Sequence, residues 1–381
     1  EAVRQTATNV IDKGELLIVT RTGVGKLAVA PCDIAISQDI TGVYPDRDQV
    51  HVGFLYHRMQ TGVQELKKLN QGTSINGIVR KDLLQYPIEL PPPPQQHQIA
   101  EILSTVDEAI KQTEALIAKM QAIKTGLMHD LFTRGVTPDG QLRPPREAAP
   151  YLYKESPLGW IPKEWEVERL WEILQRCGGY LQTGPFGSQL HAYEYPSEGV
   201  PVVMPQDINE GKILTKKIAR ITDSRAQQLA RHRMRQGDIV IARRGDLSRA
   251  AALSMNEEGW VCGTGCFLLR LGQSRLVPEF ASYVYRQDFV QRQIAGRAVG
   301  TTMQSLNNSV MSELNFLFCH ESEQLQIVER IESAEQEISA LIEHSFGMHQ
   351  LKAGLMHDLL TGRVRLPETI VTESTKVAAD V

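Results

Sequence analysis

The sequence predicts an α+β protein whose plan is written twice, each time as a β-rich segment followed by one long helix. Three observations carry this: an internal repeat, a 4-3 apolar seam in each copy, and short apolar runs bounded by turn residues upstream of each seam. The repeat is plainest near the helix ends, where Lys124-Thr125-Gly126-Leu127-Met128-His129-Asp130-Leu131 returns 228 residues later as Lys352-Ala353-Gly354-Leu355-Met356-His357-Asp358-Leu359. The same offset carries Gln98-Ile99 onto Gln326-Ile327 and Gly72-Thr73-Ser74 onto Gly300-Thr301-Thr302. Upstream the offset slips to 223, laying Lys13-Gly14-Glu15-Leu16-Leu17-Ile18 over Gln236-Gly237-Asp238-Ile239-Val240-Ile241 and Arg21 over Arg244. Self-similarity at a fixed offset marks a duplicated structural unit.

Strand signals come first in each copy. Glu15–Val19, Asp238–Ala242, Val261–Val277 broken at Gly263 and Gly265, and Ser312–Phe318 are apolar runs separated by turn residues, the pattern of short strands. The helices follow. Stepping alternately by four and three from Ile99 gives Leu103, Val106, Ile110, Thr113, Ile117, Met120, Lys124, Leu127 and Leu131; from Ile327 it gives Ile331, Ala334, Ile338, Leu341, Ser345, Met348, Lys352, Leu355 and Leu359. Eight of ten positions are apolar in each, and that spacing is a coiled-coil seam rather than the wider stripe of a globular helix. Pro91 to Pro94 hold the chain extended, so the first helix is expected from about Gln96 to Thr133, roughly 57 Å at 1.5 Å per residue. The Gly- and Pro-rich stretch from Gly135 to Pro157 reads as a linker or extended crossing. The polar tail beyond Leu366 is expected to be disordered. The expected organisation is therefore residues 1–94 as a β-rich domain, 95–134 as the first helix, 135–157 as linker, 158–320 as the second domain, 321–365 as the second helix and 366–381 as tail. About 77 residues separate Gly159 from Gln236, whereas 12 precede Lys13. By the logic of the repeat the first domain lacks roughly 65 residues at its N-terminal side.

Composition bounds the function. Of 381 residues, 42% are apolar and 23% charged, ordinary for a soluble chain. No apolar run approaches the length of a membrane span, Glu1 to Lys13 do not read as a signal peptide, and five scattered cysteines argue against a disulfide framework. A cytoplasmic location is expected. The net charge is −4, but Lys212 to Arg249 holds eleven Lys or Arg against three acids, so this stretch is +8 and the rest −12. Such a block is the footprint of an anion-binding face or of a solvated basic surface.

Catalytic signatures are sparse. Gly23-Val24-Gly25-Lys26 has Thr20 and Leu27 where a phosphate-binding loop needs glycine and a hydroxyl residue. No Asn-Pro-Pro-aromatic tetrapeptide of the adenine methyltransferases occurs. Cys262-Gly263-Thr264-Gly265-Cys266 has no second ligand pair at zinc spacing, so small residues packing in a strand pair is the better reading. His129 and His357 fall near the helix ends, where capping or an interface role outweighs catalysis.

Several passages together resemble one family. Pro87-Ile88-Glu89-Leu90-Pro91-Pro92 leading into Gln95-Gln96-His97-Gln98-Ile99-Ala100, then Leu131-Phe132-Thr133-Arg134-Gly135-Val136, Leu158-Gly159-Trp160-Ile161-Pro162-Lys163-Glu164-Trp165, and Thr183-Gly184-Pro185-Phe186-Gly187-Ser188 look like the specificity subunits (HsdS family) of type I restriction-modification systems. The resemblance implies two target-recognition domains, the first N-terminally truncated here, separated by two long helices that form an antiparallel coiled coil. It also implies that each domain reads half of a bipartite double-stranded DNA site. Two adenine methyltransferase subunits and the restriction/translocase subunits would be partners, with S-adenosylmethionine, ATP and Mg expected in those partners and no cofactor, metal or catalytic residue in this chain. A coiled-coil adaptor whose β-rich domains bind protein is the rival reading.

Candidate DNA contacts follow from residue type. Arg243 and Arg244 end an apolar strand before the turn Gly245-Asp246 and can fork onto guanine or clamp a phosphate; Arg21 matches Arg244 in the first copy. Thr301, Thr302 and Gln304 after Gly300, and Thr73, Ser74 and Asn76 after Gly72, combine a glycine with small donors and an amide suited to an adenine edge. Thr183, Gly184, Ser188 and Gln189 form a third candidate loop.

Overall fold

A computed structural model describes residues 9–69, 77–190, 195–297 and 306–366. It divides into unit 1, Glu1–Met120 with Glu337–Val381, and unit 2, Gln121–Gln336. In chain order the first elements are β1 (Val10–Ile11), β2 (Leu16–Val19), β3 (Leu27–Val29), β4 (Ile34–Ala35), β5 (Ile40–Val43), α1 (Val52–Leu69), α2 (Arg80–Gln85) and the long α3 (Pro93–Thr133). Then come β6 (Tyr153–Ser156), β7 (Gly159–Pro162), β8 (Glu166–Arg169), α4 (Leu170–Cys177), β9 (Tyr180–Thr183), β10 (Val200–Val203), β11 (Ile208–Asn209), β12 (Lys212–Ile213), β13 (Ala219–Ile221), α5 (Asp223–Gln228), β14 (Ile239–Ala242), β15 (Ala250–Ala252), β16 (Val261–Cys262) and β17 (Cys266–Arg270). α6 (Pro278–Tyr285), α7 (Asp288–Arg297), α8 (Asn308–Ser312), β18 (Asn315–Phe318) and the long α9 (Glu321–Leu360) complete the order.

In unit 1 the sheet order is β3-β2-β5, antiparallel throughout. Alternation along β2 sends Leu16 and Ile18 against α1, where Val52, Leu55, Met59, Val63 and Leu66 form the apolar stripe; Leu17 goes to the other face with Ile11 and Ala30. In unit 2 the matching strands form the order β15-β14-β17-β9. Here Ile239 and Ile241 face Leu170, Ile173 and Leu174 of α4 and Phe280 and Val284 of α6. Val240 and Ala242 face Val203, Ile208 and Met234. A strand covered on both faces is apolar at every position, which is why Ile239–Ala242 reads as an unbroken run.

The long helices carry the predicted seam. All twenty seam positions are buried or half-buried. In unit 1 the start of α3 (Ile99, Leu103) packs on the end of α9 (Leu359, Leu360); in unit 2 the end of α3 (Leu131, Phe132) clusters with the start of α9 (Ile327, Ile331). The pairing is antiparallel in both. The two seam lysines are paired rather than wasted: Lys352 Nζ lies 2.6 Å from Asp107 Oδ1, and Lys124 Nζ lies 2.7 Å from Glu335 Oε1.

Each helix start is locked by a fully buried glutamine. Gln96 Oε1 accepts from the His51 backbone N–H (2.9 Å), and its Nε2 donates to the carbonyls of Gln49 and Pro91, both at 2.8 Å. Gln324 repeats this, accepting from Val277 N–H (2.8 Å) and donating to the carbonyls of Arg275 (3.1 Å) and Cys319 (2.7 Å).

Two boundaries differ from expectation. α3 begins at Pro93 rather than Gln96, because a proline in the first turn loses no intrahelical hydrogen bond. The stretch 135–157 is not a linker: Val136, Ala149 and Tyr153 are buried, and β6 pairs with β7. Arg143, buried within this stretch, bonds both Glu323 and Glu164. Its Gly and Pro residues mark turns in a packed segment rather than a free chain.

Candidate nucleic-acid interface

Fully buried β14 delivers Arg243 and Arg244 to one end of the unit 2 sheet, directly before Gly245, whose φ of 75° suits a residue without Cβ. Asp246 closes the turn. Its carboxylate accepts from the Ser248 hydroxyl and backbone and from Arg249 Nε, and these bonds, the hydroxyl first, hold its pKa below the usual carboxylate range. Arg249 also donates to the carbonyls of Pro205, Gln206 and Ile208, so its charge is spent inside the fold.

The two arginines differ. Arg243 Nε donates to the Leu306 carbonyl at 2.7 Å, its guanidinium lies 5.7 Å from the Phe267 ring, and its own carbonyl accepts from Leu306 N–H. It is an anchor for the chain at residue 306, not the free fork expected of it. Arg244 is exposed and has no ion pair or hydrogen bond among the described residues.

The loop around Gly263–Gly265 brings the other candidates to the same end. Gly265 O accepts from Arg243 N–H, Gly184 N–H donates to Cys266 O, and the Thr264 hydroxyl donates to Pro185 O. A Cβ on Gly184 would strike the Gly263 carbonyl, so only glycine lets the two backbones pass. Thr183 is half-buried in β9 opposite Phe267. The far end of this loop is held by Arg225, which donates to Gln189 O at 2.7 Å, while Gln189 Oε1 accepts from Phe186 N–H. Phe186 itself is 71% exposed. Ser188 lies in a short turn of 3-10 helix. The sequence predicts Gly263-Thr264-Gly265 as small residues packing in a strand pair. The loop does separate β16 from β17, and it is also the junction of the site.

Unit 1 repeats the junction in outline. The Thr20 carbonyl accepts from Ile78 N–H at 2.8 Å, as the Arg243 carbonyl accepts from Leu306 N–H at 3.0 Å. Arg21 is exposed and unpaired among the described residues. Gly23 to Lys26 form the β2–β3 hairpin turn, with Val24 N–H bonded to Arg21 O, a geometry unlike a strand-to-helix phosphate loop. Thr73, Ser74, Asn76, Thr301, Thr302 and Gln304 lie outside the described residues.

The basic block does not form one face. Arg243 and Arg244 sit at one end of the sheet. Arg231, Arg233 and Arg235 line a cavity with Tyr180 and Arg270, and Tyr180 pairs with Arg270 at the opposite end of β9–β17 from Thr183 and Phe267. Burial pushes the Cys262 thiol up to about 12 and Cys266 well above its ordinary value, so both stay protonated and inert. No cluster of three metal-ligating side chains occurs among the described residues, and no described helix is long and apolar enough to cross a membrane.

Known proteins share parts of this sequence and of this fold. A family model described as type I restriction modification DNA specificity domain matches residues 1–122. The MjaVIII specificity subunit of Methanocaldococcus jannaschii, a type I restriction enzyme component, is 24% identical over 319 residues, 82% of this chain and 70% of its own length. The chain is thus similar to a type I DNA specificity domain over its first third and to a type I specificity subunit over most of its length. The EcoBI specificity subunit of Escherichia coli is a more distant relative, 22% identical over 222 residues, 56% of this chain and 44% of that one. In fold, a type I system S subunit from M. genitalium superposes with a TM-score of 0.57 at 18% identity, covering 92% of this chain and 84% of the other. A second solved structure, from a study of type I complex assembly and conformational transition, reaches 0.51 with 92% and 83% coverage at 18% identity.

Proposed function

We propose that this chain is a specificity subunit that reads DNA sequence for a type I restriction-modification complex and carries no catalytic site of its own. The observation that carries this is the junction at the end of the unit 2 sheet. There Arg244, exposed and unpaired among the described residues, stands beside the two glycine-bearing loops that cross at Gly184 and Gly263. The outline recurs at Arg21 in unit 1. Guanidinium forks read guanine in the major groove, and backbone amides and small hydroxyl residues grip phosphate. Two such junctions suit a bipartite site read half by half. Methyl transfer and cleavage then belong to partners: two adenine methyltransferase subunits docking on α3 and α9, and restriction/translocase subunits. S-adenosylmethionine, ATP and Mg would be bound by those partners. Selection of duplexes from a randomised pool with the full chain tests the reading. Enrichment of a motif that Arg244→Ala relaxes in one half supports it. Enrichment of no motif, with capture of protein partners alone, overturns it in favour of an adaptor.

A further inference from the structure

The basic block contains a second, unexplained feature. Arg231-His232-Arg233-Met234-Arg235 runs from a 3-10 turn into extended chain, and burial alternates along it. His232 and Met234 are 4% and 0% exposed, whereas Arg231 and Arg235 are exposed and Arg233 is half-buried. Alternation along the extended part puts Arg233 and Arg235 on one side, and Arg231 of the 3-10 turn joins them there. That side lines a cavity of about 430 Å³ together with Tyr180, Gln182 and Arg270.

The charges in this cavity do not cancel. Arg270 is taken up by a bidentate pair with Asp238 and lies 5.2 Å over the Tyr180 ring. The lining carboxylate Glu258 accepts from Gln236 N–H at 2.6 Å. Arg231, Arg233 and Arg235 have no carboxylate partner within ion-pair distance among the described residues. The Nε of Arg233 is moreover shut away from solvent with no acceptor. The arm is held in place by Gln182, whose Nε2 lies 3.1 Å from Arg231 O and 2.8 Å from His232 Nδ1. It is therefore a built cavity with unspent positive charge, at the other end of the sheet from Arg244.

We propose that the Arg231–Arg233–Arg235 arm is a phosphate clamp that grips the backbone of the DNA whose bases are read at the Arg244 junction. This rests on the DNA-reading function proposed above. A phosphodiester fits the arm because it offers two anionic acceptor oxygens to forked guanidinium donors. Such contacts fix register without carrying sequence information.

The test is fluorescence anisotropy of the full chain with a mixed-sequence 30-base-pair duplex across a salt series. Arg231→Ala/Arg235→Ala changes two exposed, unpaired side chains, and tryptophan-monitored melting confirms that the fold is kept. Each lost phosphate contact removes about 0.9 from the slope of log K against log salt, so the double variant should show an affinity loss between 50 and 200 mM salt about tenfold smaller than wild type. Arg231→Lys/Arg235→Lys should keep most of the slope, and sequence preference should be unchanged in both variants. A wild-type slope in the alanine double variant overturns the clamp. If Arg244→Ala still relaxes the selected motif in that case, DNA reading stands without it. Absence of any salt-dependent duplex binding by the wild-type chain overturns both.

Discussion

β5 in unit 1 and β17 in unit 2 hold the same place beside the central strands β2 and β14, yet they live in different surroundings. β17 is buried from Cys266 to Leu269, whereas β5 is half-buried along its whole length. The same contrast runs through the positions matched by the repeat: Leu269, Met311 and Phe316 are at most 1% exposed, while their counterparts Val43, Leu83 and Ile88 are half-buried. In unit 2 the cover is supplied by α4, with Leu170, Ile173 and Leu174 at helical spacing, and by the pairing of β9 with β17 and β8 with β18. Among the described residues of unit 1 no element takes those places, and an open cavity of about 610 Å³ is lined there by Leu16, Ile18, Ile40, Val43, Leu83 and Ile88. The repeat thus specifies the central strand, the helix behind it and the glutamine lock. The cover over the sheet is what differs.

This contrast can be attacked unit by unit, because Trp160, Trp165, Trp171 and Trp260 are the only tryptophans of the sequence and all fall in unit 2. Tryptophan fluorescence therefore follows unit 2 alone, while far-ultraviolet circular dichroism follows both. The largest effect is expected at Glu323, which binds Arg143 and the Val136 N–H in the interior of unit 2. Glu323→Ala leaves the buried guanidinium with only the exposed Glu164 carboxylate and the Arg134 carbonyl, leaves the Val136 N–H without its acceptor, and should cost about 3–5 kcal/mol in the tryptophan-monitored transition. A loss below about 1 kcal/mol would show that the packed 135–157 segment does not support the unit. Next come the twin glutamines. Gln324→Ala and Gln96→Ala each remove three buried hydrogen bonds, worth roughly 3 kcal/mol with the groups left unsatisfied. The first should shift the tryptophan transition and the second only the dichroism. Equal shifts in both signals for both variants would mean that the units do not unfold separately.

A smaller difference is pH-dependent. His57 in unit 1 and Tyr283 in unit 2 occupy matching places beside the seam acids, with His57 Nδ1 3.9 Å from Asp107 and the Tyr283 hydroxyl 3.3 Å from Glu335. The His57 pKa is lowered from 6.5 to about 4: burial lowers it most, Asp107 opposes this and Lys352 adds to it. The folded form thus favours neutral imidazole. Its contribution is complete above pH 6.5 and is lost as pH falls from 6.5 towards 4, on the order of 2 kcal/mol. Unit 1 should weaken over that window more than unit 2, and His57→Gln should flatten the dichroism-monitored dependence. An unaltered pH profile in the variant would contradict the assignment. The smallest effect, about 1 kcal/mol, is expected from Lys352→Met in unit 1, since this lysine is partly exposed and its removal leaves Asp107, 32% exposed, within reach of water. A cost comparable to that of the glutamine variants would place this seam ion pair among the main supports of the helices.

What the sequence revealed follows the same division. The seam was legible because a 4-3 period survives every local detail, and the structure buries each of its positions at least in part. The two lysines in it made sense only once Asp107 and Glu335 were seen across the helix pair. Strands β2 and β14 were legible as apolar runs. Arg243 was misjudged because its carbonyl partner, Leu306, lies 63 residues away. The basic block looked like one patch in a linear count, and folding sends it to two ends of a sheet. Its alternation of Arg with His and Met was present in the sequence and could have shown that one side of that segment is buried. The 135–157 stretch was misread because glycine and proline report turns and say nothing about what packs between them.

The central claim is that this chain chooses the DNA sequence on which a type I complex acts. The most direct measurement is methylome sequencing of a host expressing it with a partner adenine methyltransferase, as wild type and as Arg244→Ala. The account predicts adenine methylation at a bipartite motif, with one half relaxed or lost in the variant and the other half kept. Methylation at the same motif in both would contradict the assignment of base reading to the Arg244 junction, and methylation at no defined motif would contradict the claim itself.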